Sequence, residues 1–521
     1  MATAARPASP AAGAAPADDQ PTLVARNQPL LMVGIMAASL IQVLDTTIAN
    51  VAIPHMQSSL GATAESVTWV LTSYIIASAV AMPATGWLSD RVGAKRLFIF
   101  SVVGFILASM MCGMAQNLGE MVLFRALQGV SGAFIPPLSQ SFMLDTSRPS
   151  RHPQVMAIWG LGIMIGPILG PILGGWLTES VDWRWVFYVN LPVGALALAV
   201  LLLELPHREA KARKFDLFGF LMLGIALASL QLLLDRGSQL DWFQSAEIWL
   251  YAILMGSAAW IAVIHFATGR EPLFDTAIFA DRNFVIALIF MLVIGVVMFA
   301  NMALLPPMLQ RLFGYGVIDT GIVLMPRGVG VMLSMQLSGL LMRRGFDSRI
   351  IVGTGFAIAA YSQWMMAGWS LAADEWHFIT TGLVQGLGLG LVFIPLNVTA
   401  FSTLPGRLRT DGSSLLNLVR SIGASAGISV TTVMLAKNIQ TAHSDIGSHV
   451  TSATVNAVDI SMVDRYQALG ETALSMIDIE VNRQAAMIAY IDDFYLMMWM
   501  ALAAIPLVFL MRKASPSAGP R

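Results

Sequence analysis

Fourteen stretches of this chain are long and apolar enough to cross a lipid bilayer, and that pattern constrains its fold more than any other feature. A hydrocarbon core of about 30 Å needs roughly 20 apolar residues of helix. The stretches lie at approximately 30–54, 66–88, 97–116, 119–145, 152–177, 186–206, 216–234, 247–267, 284–304, 316–341, 350–370, 376–399, 411–436 and 491–512. In lipid every backbone donor and acceptor must be paired within the protein, so only helices and closed barrels span. Barrel strands alternate every second residue, and these runs do not. The expected fold is therefore an all-α integral membrane protein with 14 transmembrane helices. Charged residues make up 12% of the chain, half the roughly 25% of a soluble domain.

Loop charge sets the expected orientation, because cytoplasmic loops carry an excess of Lys and Arg. With the N-terminus inside, 21 of the 30 Lys and Arg fall on cytoplasmic segments, six on outer loops and three within spans. Both termini are then cytoplasmic. Residues 1–28, rich in Ala and Pro, lack the pattern of a signal peptide and are expected to form a disordered tail. The outer segment 437–490 is acidic and too polar to span. It holds Asp445, Asp459, Asp464, Glu471, Asp478 and Glu480, and good helix formers around Met476, Ile479 and Arg483. It is either a solvated cap or a docking surface for a periplasmic partner.

An internal repeat organises the spans. Gly86 to Arg96 follows span 2, and Gly339 to Arg349 follows span 10, with the same spacing from glycine to last arginine. Two six-helix bundles are expected, at 29–206 and 271–512. A linker with two inserted helices at 207–270 separates them, and a short tail at 513–521 ends the chain. Paired bundles around a midplane site are a recurring transporter design.

Several chemistries are excluded. The net charge is −1, which gives no support to a nucleic-acid partner. Cys112 is the single cysteine, so intrachain disulfides and thiolate metal sites are ruled out. There is no GxxxxGK[ST] phosphate loop, no HExxH and no nucleophile–base set. The Gly386–Gly388–Gly390 run lies inside span 12 and does not follow a strand, which rejects a dinucleotide site. No enzyme activity and no cofactor are expected.

Charged side chains inside the spans carry the functional signal. Asp45 lies about fifteen residues into span 1, roughly 22 Å from the cytoplasmic edge. Burying it ionised costs several kcal/mol, so it must be paired, hydrated or protonated. A carboxyl of this kind serves to exchange protons, or is simply bonded locally to Thr46 or Thr47. Arg125 in span 4 falls at nearly the same depth, which allows an Asp45–Arg125 pair, either a mobile switch or a fixed ion pair. Arg327 and Arg420 are the other intramembrane arginines, each either a candidate for substrate contact or a structural element. Gln128, Asn301, Gln336, Gln385, Asn397 and Asn417 are neutral polar candidates for lining a cavity. The abundant Met residues either pack or provide an adaptable apolar surface. Span 5 carries Gly162, Gly166, Pro167, Gly170, Pro171, Gly174 and Gly175, and span 13 carries Gly423 and Gly427. Glycines four apart let helices approach closely, so spans 5 and 13 are expected to pack between the bundles.

Together these motifs resemble those of the major facilitator superfamily, in particular its fourteen-span drug:proton antiporters. The likeness covers nearly the whole chain after residue 28. Gly86-x-Leu88-x-Asp90-Arg91-x-Gly93-x-Lys95-Arg96 is similar to the loop 2–3 signature. Arg125 to Gly129 with Gly132 resembles the span 4 motif, and Gly162–Gly175 the span 5 motif of exporters. Leu44-Asp45-Thr46-Thr47 through Pro54, and Trp183 to Phe187 with Asn190 and Pro192, resemble motifs of the fourteen-span branch. The resemblance implies proton coupling at Asp45 and Arg125. It also implies a cytoplasmic gate built from Gly86, Asp90, Arg91, Gly93, Lys95, Arg96 and Asp145. Ala94 stands where the signature usually has arginine, so Lys95 or Arg91 is expected to take its part. The 440–443 and 489–494 segments resemble Gram-negative bacterial exporters, implying an inner-membrane location, a periplasmic adaptor and an outer-membrane channel. The implied function is export of amphipathic toxic compounds in exchange for protons. The competing readings are a narrow exporter of a metabolite or siderophore, and a membrane sensor or scaffold without transport.

Overall fold

The computed structural model describes residues 19–63, 66–208, 214–237, 239–269, 272–449 and 471–512. Among them, fourteen helices are long and apolar enough to cross a membrane, and there is no strand. Numbered as spans 1–14, they are Gln28–Ser59, Trp69–Val92, Ala94–Met114, Leu118–Asp145, Pro149–Ser180, Trp185–Glu204, Leu217–Arg236, Ala246–Thr268, Arg282–Leu312, Val317–Arg343, Ser348–Ala367, Glu375–Ser402, Gly406–His449 and Ile477–Leu510. Proline, which cannot donate a backbone hydrogen bond, marks the interruptions. Span 2 passes through a 3-10 turn at Met82–Ala84 around Pro83. Span 4 breaks between Gly132 and Ile135, just ahead of Pro136 and Pro137.

The repeat seen in the sequence is also a repeat of packing. Span 1 packs on spans 5 and 6, span 2 on span 4, and span 3 on spans 4 and 6. The same pairs recur eight spans later: 9 on 13 and 14, 10 on 12, 11 on 12 and 14. Two six-helix bundles result, with spans 7 and 8 outside both. Span 7 lies against spans 2, 8 and 13. Span 8 packs mainly on span 7, and only 11% of its apolar segment is buried. Its exposed Trp249, Ile253, Trp260 and Val263 therefore form a lipid-facing surface.

Spans 13 and 14 outgrow their apolar segments. Span 13 has 44 residues, about 65 Å of helix at 1.5 Å per residue, twice the depth of the hydrocarbon core. Beyond the lipid-depth zone the two helices run antiparallel, tied by Asn438 to Asp492 at 3.1 Å and by His443 to Asp478 at 3.0 Å. The polar segment at 437–490 is thus helical at both described ends, while Asp459, Asp464 and Arg465 lie outside the described residues. Residues 19–27, expected to belong to a disordered tail, are held against the protein. The Leu23 N–H donates to the Asp145 carbonyl at 2.8 Å, and Asp19 accepts from the Ser150 N–H and hydroxyl at 2.9 and 2.8 Å. Residues 1–18, Lys211, Arg213 and 513–521 are outside the described residues.

Spans 5 and 13 lie between the bundles as expected, span 5 against spans 10 and 12 and span 13 against spans 2 and 4, but most of their stripe glycines face their own bundle and only Gly175 meets the other, at Val317. A Cβ on Gly162 would stand 2.8 Å from Met36, one on Gly166 would stand 2.9 Å from Val43, and one on Gly174 would stand 3.3 Å from the Ile48 carbonyl, all on span 1. In the other bundle Gly423 and Gly427 lie against the backbone of span 9 at Leu292 and Val296. Span 5 does meet the opposite bundle, through its other face. There the small residues include Gly321 and Gly328 of span 10, which receive Ile172 and Ile168. A stripe four residues apart covers only one side of a helix, and here that side faces the helix's own bundle. Overpacking a close contact costs about 1–3 kcal/mol. Gly166→Val or Gly423→Val is expected to lower the thermal unfolding temperature of the detergent-purified protein. Gly256→Val on span 8, where a Cβ would meet nothing within 4 Å, is expected to leave it unchanged.

Candidate functional site

The first bundle encloses a compact polar network that holds its buried acid–base pair. Asp45 and Arg125 are almost fully enclosed, and Arg125 Nη1 donates to Asp45 Oδ2 at 2.6 Å. Gln128 Nε2 and Asn190 Nδ2 both donate to Asp45 Oδ1, at 2.7 and 2.9 Å. Spans 1, 4 and 6 therefore converge on one carboxylate. Arg125 is fixed in turn by the Val70 carbonyl at 2.9 Å and by Gln128 Oε1 at 2.8 Å. Its guanidinium lies over the Tyr74 ring, 4.5 Å from the centroid, a favourable cation–π position. Asn190 Nδ2 is steadied by Ser109 Oγ at 3.0 Å. Arg125 Nη2 and Asn190 Oδ1 have no partner among the described residues.

This geometry settles the local alternative for Asp45. The Thr46 hydroxyl donates to the Val43 carbonyl at 2.8 Å and Thr47 to the Leu44 carbonyl at 2.9 Å. Both threonines bond back along their own helix, and neither serves Asp45. All three contacts to the carboxyl are donations into its oxygens. That suits an ionised carboxylate, which accepts but cannot donate. Breaking a buried pair by removing one partner typically costs about 3–5 kcal/mol.

A second polar cluster lies where the bundles meet, at the face that carries residues 92–94, 146–151 and 403–409. Asp145 at the end of span 4 pairs with Arg409 at 2.7 Å and Arg208 at 3.4 Å. Arg409 belongs to the other bundle. One helical turn inward, Gln140 bonds Asn397 and Asn417, each at 3.0 Å, and also meets the Ser413 hydroxyl. Ser141 meets Thr410 at 3.0 Å, and the Ser414 hydroxyl donates to the Met82 carbonyl at 2.7 Å. The Gly86 backbone leaves room for the Asp411 side chain. Gly93 adopts a positive φ of 94°, which favours glycine at the turn into span 3. Lys95 Nζ donates to the Leu205 carbonyl at 2.7 Å. Arg91 and Arg96 are exposed, and Asp90 is half-buried. Neither Lys95 nor Arg91 pairs with Asp145, because arginines from the 207–214 linker and from span 13 fill that position.

The expected cavity residues separate into groups. Gln128 belongs to the Asp45 network, and Asn397 and Asn417 to the inter-bundle seal. Gln336 does not line a cavity. It lies on the exposed stripe of span 10 with Leu333, Leu337 and Leu340, while Ser334, Met335 and Ser338 face inward. Asn301 and Gln385 are enclosed inside the second bundle, Asn301 Nδ2 donating to the Val297 carbonyl at 2.7 Å. Arg327 and Arg420 are half-buried; neither lines the small apolar cleft between spans 5, 9, 10 and 12, which is bounded by Met164, Met298 and Met335 among others. Sequence reasoning passed over Asn190, Gln140, Arg208 and Arg409. Asn190 is a neutral amide near the end of span 6, and the two arginines lie in segments that read as loops in the sequence. Asp493 of span 14 is a further enclosed acid, and its oxygens have no partner among the described residues.

Comparison with known proteins agrees with this architecture. The family description "Major Facilitator Superfamily" matches residues 35–428. The Multidrug export protein EmrB of Escherichia coli K12 is 31% identical over 490 residues, covering 92% of this chain and 94% of that protein. The Fatty acid resistance protein FarB of Neisseria gonorrhoeae is 32% identical over 511 residues, covering 96% and 99%. The human organic anion transporter MFSD10 superposes with a TM-score of 0.59 at 13% identity, over 92% of this chain and 99% of that one, a likeness of fold. Two mirrored six-helix bundles, the matched family description and relatives along almost the full length together establish that the chain belongs to the major facilitator superfamily.

Proposed function

We propose that this protein exports amphipathic toxic compounds in exchange for protons, by alternating access between its two bundles. The observation that carries the reading is the enclosed Asp45–Arg125 pair, a charged couple at membrane depth inside one bundle. The naming of relatives for multidrug export and fatty acid resistance supports the substrate type. The bias of Lys and Arg towards one face supports assigning that face to the cytoplasm.

In this orientation the Asp145–Arg409 pair and the Gln140 cluster close the cytoplasmic side, which supports a state closed to the cytoplasm. Span 13 meets span 2 at its cytoplasmic half and span 7 farther out. Gln231 of span 7 donates to Ser425 at 2.8 Å, and Ser429 to the Leu234 carbonyl at 2.7 Å. Asp45 awaits a proton here as a carboxylate held by three donors. Protonation removes its charge and one accepting position, which weakens its hold on Arg125 and Asn190 and frees spans 4 and 6 to shift against span 1. Return of the bundle to the inward-facing state then lets arriving drug displace the proton. The projecting helices of spans 13 and 14 are the surface we assign to a periplasmic adaptor and, through it, an outer-membrane channel.

Two experiments test this cycle. Drug added to the purified protein in weakly buffered solution should release protons, and Asp45→Asn should reduce the release to background. Release unchanged in that variant would refute the role of Asp45. The cytoplasmic closure is tested by labelling Ser413→Cys with a thiol reagent in a Cys112→Ser background. Ser413 is fully buried, so labelling should be slow and should rise several-fold on adding Arg409→Gln. An unaltered rate would show that the Asp145–Arg409 contact does not hold the gate shut.

A further inference from the structure

The second bundle repeats the polar layer of the first at the same depth. Counted from the basic face, Gln128 and Gln385 each lie seventeen residues from the ends of spans 4 and 12, at Asp145 and Ser402. Ser109 and Gln363 each lie fifteen residues from the starts of spans 3 and 11, at Ala94 and Ser348. Asp45 corresponds to Asn301, seventeen and nineteen residues into spans 1 and 9. Asn190 corresponds to Asp493, fourteen and seventeen residues from the ends of spans 6 and 14. At 1.5 Å per residue, each of these side chains is about 20–30 Å from the basic face. All of them are enclosed. The acid, however, has moved from the first helix of its bundle to the last.

The two layers differ in how they are satisfied. Asp45 has three donors, one of them a cation. Both Asp493 oxygens, Asn301 Oδ1 and the polar atoms of Gln363 and Gln385 have no partner among the described residues. Span 12, which repeats span 4, has no arginine or lysine. The helices packed on span 14 are spans 9, 11 and 13. Span 9 is uncharged between Arg282 and Arg311, near its two ends. Span 11 is uncharged after Arg349, and its Tyr361 is exposed. Span 13 is uncharged between Arg420, bonded to Asn417, and the exposed Lys437. On span 14 itself the titratable neighbours are the buried Tyr490 and the exposed Asp492 and Tyr495. Asn301 Nδ2 meets Met497 Sδ at 3.1 Å, one turn from Asp493 on the same face of span 14.

We infer that Asp493 is a second proton-binding site, which keeps its proton while spans 9, 11 and 13 are packed around it and ionises when the second bundle opens to water. An ionised carboxylate enclosed without donors is far costlier than a neutral acid. Ionisation of Asp493 and the present packing therefore exclude each other. Access is from the outer side. Asp492, the next residue, is exposed and accepts from Asn438 Nδ2 at 3.1 Å, where spans 13 and 14 leave the lipid-depth zone. This proton is distinct from the one exchanged at Asp45, and its site does not depend on the protein being an exporter.

Infrared difference spectra of the full-length purified protein, taken between mildly acidic and alkaline medium, read a neutral carboxyl through its C=O stretch. The wild type should show a carboxylic-acid band that Asp493→Asn removes and Asp492→Asn retains. Hydrogen–deuterium exchange of peptides around Asn301 and Asp493, corrected for the intrinsic rate, should rise several-fold from acidic to alkaline medium. It should stay level in Asp493→Asn. That variant keeps the size and neutrality of the protonated acid, so it should unfold close to the wild-type temperature. Identical spectra for wild type and Asp493→Asn, or a strongly destabilised Asp493→Asn, would show a charged and partnered carboxyl and overturn the site. Exchange that rises equally in both proteins would overturn its link to opening. Drug-triggered proton release should persist in Asp493→Asn, and its loss there would overturn the independence of the two protons.

Discussion

The structure depends on keeping a carboxylate and a guanidinium together where lipid surrounds the protein. Asp45 and Arg125 are each about 1% exposed. An isolated charge at that depth is prohibitive, and a pair is tolerated only when its remaining donors and acceptors are also occupied. Gln128, Asn190 and the Val70 carbonyl do most of this from spans 4, 6 and 2, leaving Arg125 Nη2 without a partner among the described residues. Four of the six helices of the first bundle are thereby tied to one protonatable group. Its electrostatic state is shared by the whole bundle and is not confined to one side chain.

Such a group can drive movement only if the bundles slide without unfolding. The glycine stripes of spans 5 and 13 join each helix to its own bundle, with backbone approaching backbone or side chain at van der Waals distance. Each six-helix unit is thus internally tight. The contacts between the units are mixed, apolar where Ile168 and Ile172 of span 5 enter span 10 at Gly328 and Gly321 and polar elsewhere. At the basic face they are ion pairs and amide bonds, Asp145 with Arg409 and Gln140 with Asn397 and Asn417. These polar contacts can be exchanged for water as the face opens, whereas an interdigitated apolar interface could not be opened so cheaply. Span 7 is tied to span 13 by Gln231 to Ser425 and Ser429 to the Leu234 carbonyl, and to span 2 by Thr72, whose hydroxyl donates to Asp235. The inserted pair therefore accompanies the interface between spans 2 and 13 without belonging to either core.

Much of this was legible in the sequence because membrane insertion leaves a strong mark. Span number, bundle repeat and the common depth of Asp45 and Arg125 all follow from counting apolar residues and helical rise. Facing was less legible. Gln336 and Gln385 look alike in their apolar runs, yet one lies on the outer stripe of span 10 and the other is enclosed by its bundle. The difference arises from which neighbours a helix acquires. The Gly162–Gly174 stripe announced a close contact correctly but not its partner, since span 1 and the opposite bundle were equally open to it. Asn190 was hidden for another reason: a neutral amide near the end of a span carries no charge to draw attention, and its importance comes from the carboxylate it reaches across the bundle. Asp145 was recognised, but its partners Arg208 and Arg409 come from segments far away in sequence.

Proton coupling through Asp45 requires its contact with Arg125 to change when the protein changes state. An experimental structure of the protein trapped open at its basic face, with Asp145 and Arg409 separated, would test this directly. In that structure Arg125 Nη1 should have left Asp45 Oδ2, and Gln128 or Asn190 should have altered its bond to the carboxyl. A structure open at that face, with the same three donors still closed on Asp45 at the present distances, would contradict it and reduce the pair to a fixed structural element.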